Sequence, residues 1–325
     1  MLQQTRAEAV VPYFTRWIAR FPTPEALAVA DPEDVLSAWQ GLGYYARGRH
    51  LQAAVREVVE NRGGIAPESA EDLRTLPGVG PYTAGAVSSI AFGRAEPAVD
   101  GNVRRVLARL ADSPDPSPAT LQAWAGALVD PVDPGGFNQG LMELGAQICV
   151  PRNPACGRCP VHRHCLAASR GTVAGRPAPK RRRTPRDISE VVVVLARGSR
   201  GRERVLFRRR PERGLLGGMW ELPGASIAAG DVPEALALRL ATTWAHRPRL
   251  VSRLERLDHA FTHRRVAYLP FFFRADGRAH RRTVGSPFES EGASFRWARL
   301  GPEVTAMPLP TAQRKIVDAA FGPRE

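Results

Sequence analysis

Apolar residues recur at helical spacing through the first half of the chain and at strand spacing through its last third. Val10, Tyr13, Phe14 and Trp17 fall on one face of a helix running from Met1 to about residue 20, which opens without an N-cap. Short helices are predicted at 24–30 and 32–39, each announced by Thr23 or Asp31 with proline at the first helical position. The turn Gly41-Leu42-Gly43-Tyr44-Tyr45 precedes a long helix with Leu51, Val55, Val58 and Val59 inward. Its aromatics, beside Arg47 and Arg49, suit core anchoring and base stacking equally. Helices at 69–75, 83–91, 102–110, 117–129 and 134–147 complete an all-helical half. The period then changes: strands are expected at 191–195, 205–209, 250–257, 266–273 and 295–298, with helices near 233–244 and 311–320, a smaller α+β domain. The chain has no internal repeat.

Within the helical half, residues 76–100 stand out. Leu76-Pro77-Gly78-Val79-Gly80 is a tight turn between two helices. Gly78 and Gly80 are expected to adopt conformations that residues with a Cβ avoid, leaving bare N–H groups at the start of a helix carrying Ala84, Val87 and Ala91. Such a start attracts phosphate. Asp100 follows the apolar Pro97, Ala98 and Val99 and precedes a helix whose Val103, Val106, Leu107 and Leu110 form one stripe. From position alone it is an ordinary N-cap; beside a phosphate-gripping turn it is also a candidate for chemistry on a nucleotide.

Composition narrows the class. With 325 residues, 43% of them hydrophobic, the chain is long enough for two domains. No apolar run approaches membrane-spanning length and no signal peptide is visible, so a cytoplasmic protein without membrane contact is expected. A net charge of +14 points to a polyanionic partner. Residues 169–187 form a basic linker carrying Arg170, Arg176, Lys180, Arg181, Arg182, Arg183 and Arg186 against one acid, either a solvated tether or one that lies along DNA. The four cysteines, Cys149, Cys156, Cys159 and Cys165, share one short segment. That clustering implies a four-thiolate metal site, zinc or iron–sulfur, which spacing alone does not separate.

The hairpin at 76–83, Val99-Asp100-Gly101-Asn102 and the four cysteines resemble the helix-hairpin-helix DNA glycosylases of the endonuclease III superfamily. Met1-Leu2-Gln3-Gln4-Thr5-Arg6, the Gly41–Arg47 turn, Phe137-Asn138-Gln139 and the second domain are similar to its MutY branch, the adenine DNA glycosylases. The resemblance implies a helical glycosylase domain over 1–168 with a [4Fe–4S] cluster in 149–165, the linker, and a Nudix-like lesion-recognition domain over 188–325. It implies a monomer that binds double-stranded DNA holding 8-oxoguanine:adenine or guanine:adenine mispairs, flips the adenine out and hydrolyses its N-glycosidic bond. Asp100 matches the carboxylate that stabilises the oxocarbenium-like state, and Asn102 would orient the site. Gln4 would fill the gap in the stack, Thr5, Leu42 and Tyr44 would lie around the oxidised guanine, and Gln139 and Glu143 near the flipped adenine. Phe261-Thr262-His263 matches a Phe-Ser-His type loop that reads the lesion; as residues alone it is a polar turn between strands. Leu206 to Arg210 and Gly217 to Gly224 are similar to the Nudix fold, but the helix near 232–244 carries only Glu234, too few carboxylates to hold Mg²⁺ for diphosphate hydrolysis.

Two features refine the chemistry. Bifunctional relatives cut the strand through a Schiff base on a lysine in the hairpin helix; here Tyr82 stands at that position and residues 1–179 contain no lysine, so base removal without strand cleavage is expected. The family's general acid is a glutamate two residues upstream of the motif that begins here at Met1. Glu8 lies about 10 Å by rise along the same helix, beyond hydrogen-bond reach. Either the start codon sits at an internal methionine, which the uncapped helix favours, or the chain binds lesions without excising.

Overall fold

The computed structural model describes residues 1–2, 5, 7–179, 184–212, 214–261, 263–275 and 294–322. Gln4 and Thr262 lie outside them. The chain divides into two compact units, residues 50–182 and a second in which residues 1–49 group with 183–325.

Helices dominate the first 169 residues: α1 (Ala7–Arg20), α2 (Pro24–Val29), α3 (Pro32–Trp39), α4 (Ala46–Asn61), α5 (Ala70–Leu73), α6 (Pro81–Phe92), α7 (Gly101–Leu110), α8 (Pro118–Leu128), α9 (Pro134–Glu143) and α10 (Leu166–Ser169). Their starts follow local chemistry, because Thr23, Asp31, Ser69, Asp100, Ser117 and Asp133 each accept a backbone N–H of the first turn. The predicted 134–147 helix is α-helical only to Glu143 and continues as a π turn, Leu144–Ile148. Gly145 lies so close to Asn102 of α7 that a Cβ there would collide with it.

Two inward faces differ from the periodic reading. On α1, Val10 and Trp17 are buried, Trp17 edge-on to Trp39 at 5.5 Å, but Phe14 is 55% exposed. On α4 the buried residues are Gly48, Gln52, Ala54 and Val58, and Leu51 is exposed. Each helix has a contact stripe narrower than its apolar pattern.

The sheet elements are β1 (Arg186–Arg197), β2 (Arg204–Arg209), β3 (Trp220–Glu221), β4 (Gly224–Ser226), β5 (Arg249–Arg253), β6 (Leu257–Ala260), β7 (Arg264–Ala275) and β8 (Phe295–Arg299), joined by α11 (Pro233–Trp244), α12 (Pro302–Ala306) and α13 (Thr311–Phe321). The main strand order is β3-β2-β1-β7-β5, with parallel β1 and β7 central and in register from Arg186↔Arg264 to Arg197↔Ala275. That ladder explains why β1 starts within the predicted linker. The predicted strand at 250–257 is two strands, β5 and β6, both antiparallel to β7, with a register shift between Leu250 and Ser252. Strands β3 and β4 are too short to show a period.

Both faces of the sheet are covered. Val191, Val193, Leu195, Leu206, Phe271 and Phe273 pack against Leu236, Ala237, Leu240 and Ala241 of α11. Val192, Val194, Phe207, Trp220 and Phe272 pack against Val304, Ala312, Ile316 and Val317 of α12 and α13. In the same unit Gln40 donates to the Leu309 carbonyl (3.0 Å), Arg296 pairs with Glu33 (3.3 Å) and Arg49 donates to the Gly217 carbonyl.

Candidate active site

The hairpin begins the site. Leu76 accepts the Val79 N–H at 3.2 Å, and Gly80 N-caps α6 with no side chain to satisfy its first N–H groups. Gly78 has φ +75°, and a Cβ on it would run into the His50 side chain, so glycine is required. Gly80 corrects the sequence reading: its φ of −90° is ordinary extended backbone, with open space where a Cβ would stand. In α6 the inward residues are Ala84, Gly85, Ser88 and Ser89, while Ala91 is exposed. Gly85 lies against the Pro97 carbonyl, where a Cβ does not fit, and this draws residues 96–100 onto the helix.

Asp100 is both the predicted cap and a held carboxylate. One oxygen, Oδ1, accepts the Val103 N–H at 2.7 Å; the other, Oδ2, accepts Asn102 Nδ2 at 3.0 Å. Asn102 is fixed in turn, because its Oδ1 accepts Arg105 Nη2 at 2.9 Å. Arg105 also donates to the carbonyls of Gly145 (2.6 Å) and Cys149 (2.7 Å). A continuous hydrogen-bonded path therefore runs from the carboxylate to the first cysteine.

Tyr82, on the first turn of α6, donates to Met142 Sδ at 3.6 Å. Burial, aided by the charge of Asp100, pushes its phenol up from the ordinary value of 10.0. Gln139 and Glu143 lie one turn apart on α9, both exposed, with Gln139 donating back to the Gly135 carbonyl at 3.1 Å. Beside Gln139 stands a residue of the Phe137-Asn138-Gln139 motif to which the sequence assigned no role of its own. Asn138 is 1% exposed; it accepts the Ala98 N–H at 3.0 Å and donates to Ser89 Oγ at 2.9 Å and the Glu96 carbonyl at 2.8 Å, pinning the segment that leads into Asp100.

Cys149, Cys156, Cys159 and Cys165 border one open hollow with Arg109, Ile148, His162, Ala168 and Val173 among its walls. Burial raises the Cys159 thiol and the other three thiols push the same way, so the set favours a cationic metal group that relieves their repulsion. Among the described residues no three His, Cys, Asp or Glu groups converge on a single-ion site, while all four cysteines line the hollow. Arg109, 2% exposed, lies in its wall and donates to Cys149 Sγ (3.2 Å) and to the carbonyls of Cys149 (3.2 Å), Val150 (2.8 Å), Pro151 (3.3 Å) and Arg176 (3.0 Å). It pairs with no carboxylate among the described residues. A buried cation held only by carbonyls and a thiol fits an anionic cluster of four thiolates and iron.

In the other unit Leu42 is buried and Tyr44, with φ +46°, is 55% exposed beneath the Arg47 guanidinium, 5.5 Å from its ring centre. Thr5 is half-buried, its N–H bonded to the Leu2 carbonyl at 3.3 Å. The turn after β6 is closed by Phe261 N–H to Arg264 O at 2.7 Å, with Phe261 packed on the sheet core, edge-on to His259 at 4.6 Å, and His263 exposed.

Comparison with known proteins matches each part. Residues 1–129 fit the model of the HhH-GPD superfamily of base excision DNA repair proteins, 149–165 the iron-sulfur binding domain of endonuclease III, and 191–319 the NUDIX domain. The endonuclease III match selects iron–sulfur over zinc. The adenine DNA glycosylase of Homo sapiens is 38% identical over 97% of this chain and 66% of that protein, and that of Rattus norvegicus 37% over 86% and 63%. The Arabidopsis thaliana adenine DNA glycosylase is 40% identical over 70% of this chain and 41% of its own length. The chain thus spans just under two thirds, or less, of the length of these relatives. No helix among the described residues is long and apolar enough to cross a membrane. The chain is therefore a homologue of the adenine DNA glycosylases, built from a helix-hairpin-helix base-excision-repair domain, an endonuclease III type iron–sulfur segment and a Nudix domain.

Proposed function

We propose that the chain is a monofunctional adenine DNA glycosylase that acts, as a monomer, on adenine opposite 8-oxoguanine or guanine in duplex DNA. Three parts would serve it: glycosylase domain 1–168, linker 169–187 and lesion-recognition domain 188–325. The observation that carries the reading is Asp100, a carboxylate fixed by two hydrogen bonds at the mouth of α7 in a chain whose relatives are adenine DNA glycosylases. Departure of a purine leaves positive charge on the deoxyribose, and a carboxylate already oriented by Asn102 and the Val103 N–H offsets it without reorganisation. Tyr82 supplies no amine, so the abasic product is left uncut. The bare N–H groups at the start of α6 grip a backbone phosphate, and the net charge of +14 supplies the non-specific attraction. Exposed Tyr44 and His263 are the groups offered to the lesion, with Thr5, Leu42 and Phe261 behind them and Gln139 and Glu143 for the flipped base.

The test is single-turnover excision on 8-oxoguanine:adenine duplex. The chain binds with steep salt dependence and excises the adenine, and Asp100→Asn abolishes excision. Undiminished activity of Asp100→Asn overturns the reading. Binding that is retained without any excision supports a lesion-binding protein instead.

A further inference from the structure

Asp112 is a charged group outside the site described above, and its partners all come from one segment. It follows α7 with φ +51°, a left-handed conformation that a side chain makes unfavourable, yet its own side chain is only 6% exposed. Oδ1 accepts Thr172 Oγ1 at 2.5 Å and Arg176 Nε at 2.8 Å, and Oδ2 accepts Arg170 Nη1 at 3.1 Å. Its backbone carbonyl accepts Arg176 Nε as well, at 3.0 Å. These donors lie on both sides of Val173, and Val173 and Ala168 are walls of the thiolate hollow.

The same segment is tied at two further points: Ala178 N–H bonds the Pro114 carbonyl, and the Arg176 carbonyl receives Arg109 Nε at 3.0 Å, while within the segment Thr172 N–H bonds the carbonyl of fully buried Ala167 at 2.9 Å. Arg109 in turn donates to Cys149 Sγ. A chain of contacts thus leads from the Asp112 carboxylate through Arg176 and Arg109 to a cluster ligand. Without the carboxylate, three donors lose their common acceptor, and the segment keeps only its main-chain bonds and the bonds that Arg109 and Arg176 make to backbone carbonyls.

We propose that Asp112 is a positioning residue for the iron–sulfur centre: it latches residues 166–178 as a strap over the hollow and so shields the cluster from water, chelators and oxidants. Outer contacts of this kind typically change metal retention by about 10- to 100-fold when removed. The test uses the full-length holoprotein and follows iron content and the visible absorption of the cluster during exposure to an iron chelator and, separately, to ferricyanide. Asp112→Gly keeps the left-handed backbone unstrained and deletes only the latch; it loses the cluster roughly tenfold faster than wild type. Val87→Ala, which trims a partly buried side chain on α6 away from the strap, controls for general destabilisation and bleaches at the wild-type rate at matched temperature below its Tm. If Asp112→Gly bleaches as slowly as wild type, or if Val87→Ala bleaches as fast as Asp112→Gly, the latch is overturned. Should Asp112→Gly fail to fold, Thr172→Val, which removes one donor alone, carries the same test: several-fold faster loss supports the latch and a wild-type rate overturns it.

Discussion

Replacing Asn138 with alanine isolates how the fold aims Asp100. The side chain is buried and makes three hydrogen bonds, to Ala98 N–H, Ser89 Oγ and the Glu96 carbonyl. At about 0.5–1.5 kcal/mol for each intramolecular hydrogen bond, and with the desolvated Ala98 N–H left unpaired, the loss is about 3 kcal/mol. For the compact unit 50–182 that holds Asn138, at about 2.1 cal/mol/K per residue, that corresponds to a fall in Tm of roughly 10 °C. The same change frees residues 96–99, and a displacement near 1 Å of a reacting group can cost about 10²-fold in rate. Urea titration followed by far-UV circular dichroism measures the first effect, and single-turnover excision at a temperature well below the transition measures the second. Asn138→Asp sharpens the comparison: Oδ1 still accepts from Ala98, but the Nδ2 donor becomes an acceptor facing the Glu96 carbonyl. A loss below about 0.5 kcal/mol in Asn138→Ala, within the range of ordinary surface substitutions, refutes the assigned role.

Three further outcomes follow from the geometry. Gly78→Ala weakens duplex binding and lowers stability by about 1–3 kcal/mol through its positive φ and the His50 contact, whereas Gly80→Ala leaves stability within about 0.5 kcal/mol; equal effects in a binding titration and a melt refute the distinction. Glu190 is half-buried, and burial, with Glu221 nearby, raises its carboxyl above the ordinary value of 4.5, so the unfolded chain ionises first and stability falls as pH rises from about 4.5 through the raised value. Glu190→Gln removes that fall; denaturant midpoints at pH 4 and pH 7 check it, and a variant less stable at pH 7 than at pH 4, relative to wild type, contradicts the sign. Borohydride added during turnover traps no enzyme–DNA adduct and alkali is needed to cut the product strand, since no lysine precedes Lys180; a trapped adduct in a denaturing gel disproves this.

What the sequence determined by itself are features carried by neighbours in the chain. Period, caps and glycine turns placed nearly every helix of the first half and the hydrophobic strands, because those signals act within a turn or a pleat. Four cysteines in one segment announced a metal site, and the hairpin followed by Asp100 announced the reacting end. Tertiary structure decided the rest. That Phe14 and Leu51 face solvent depends on which stripe of each helix finds a partner, and that 250–257 splits into β5 and β6 depends on how both align with β7. Gly78 and Gly80 read alike in sequence, yet only the first meets a side chain from α4 and a positive φ. Asn138, Arg109 and Asp112 look like ordinary polar residues of a helix or turn. Their partners lie about 40 to 67 residues away, so their buried hydrogen bonds exist only after α6, α7, α9 and the cysteine segment have packed.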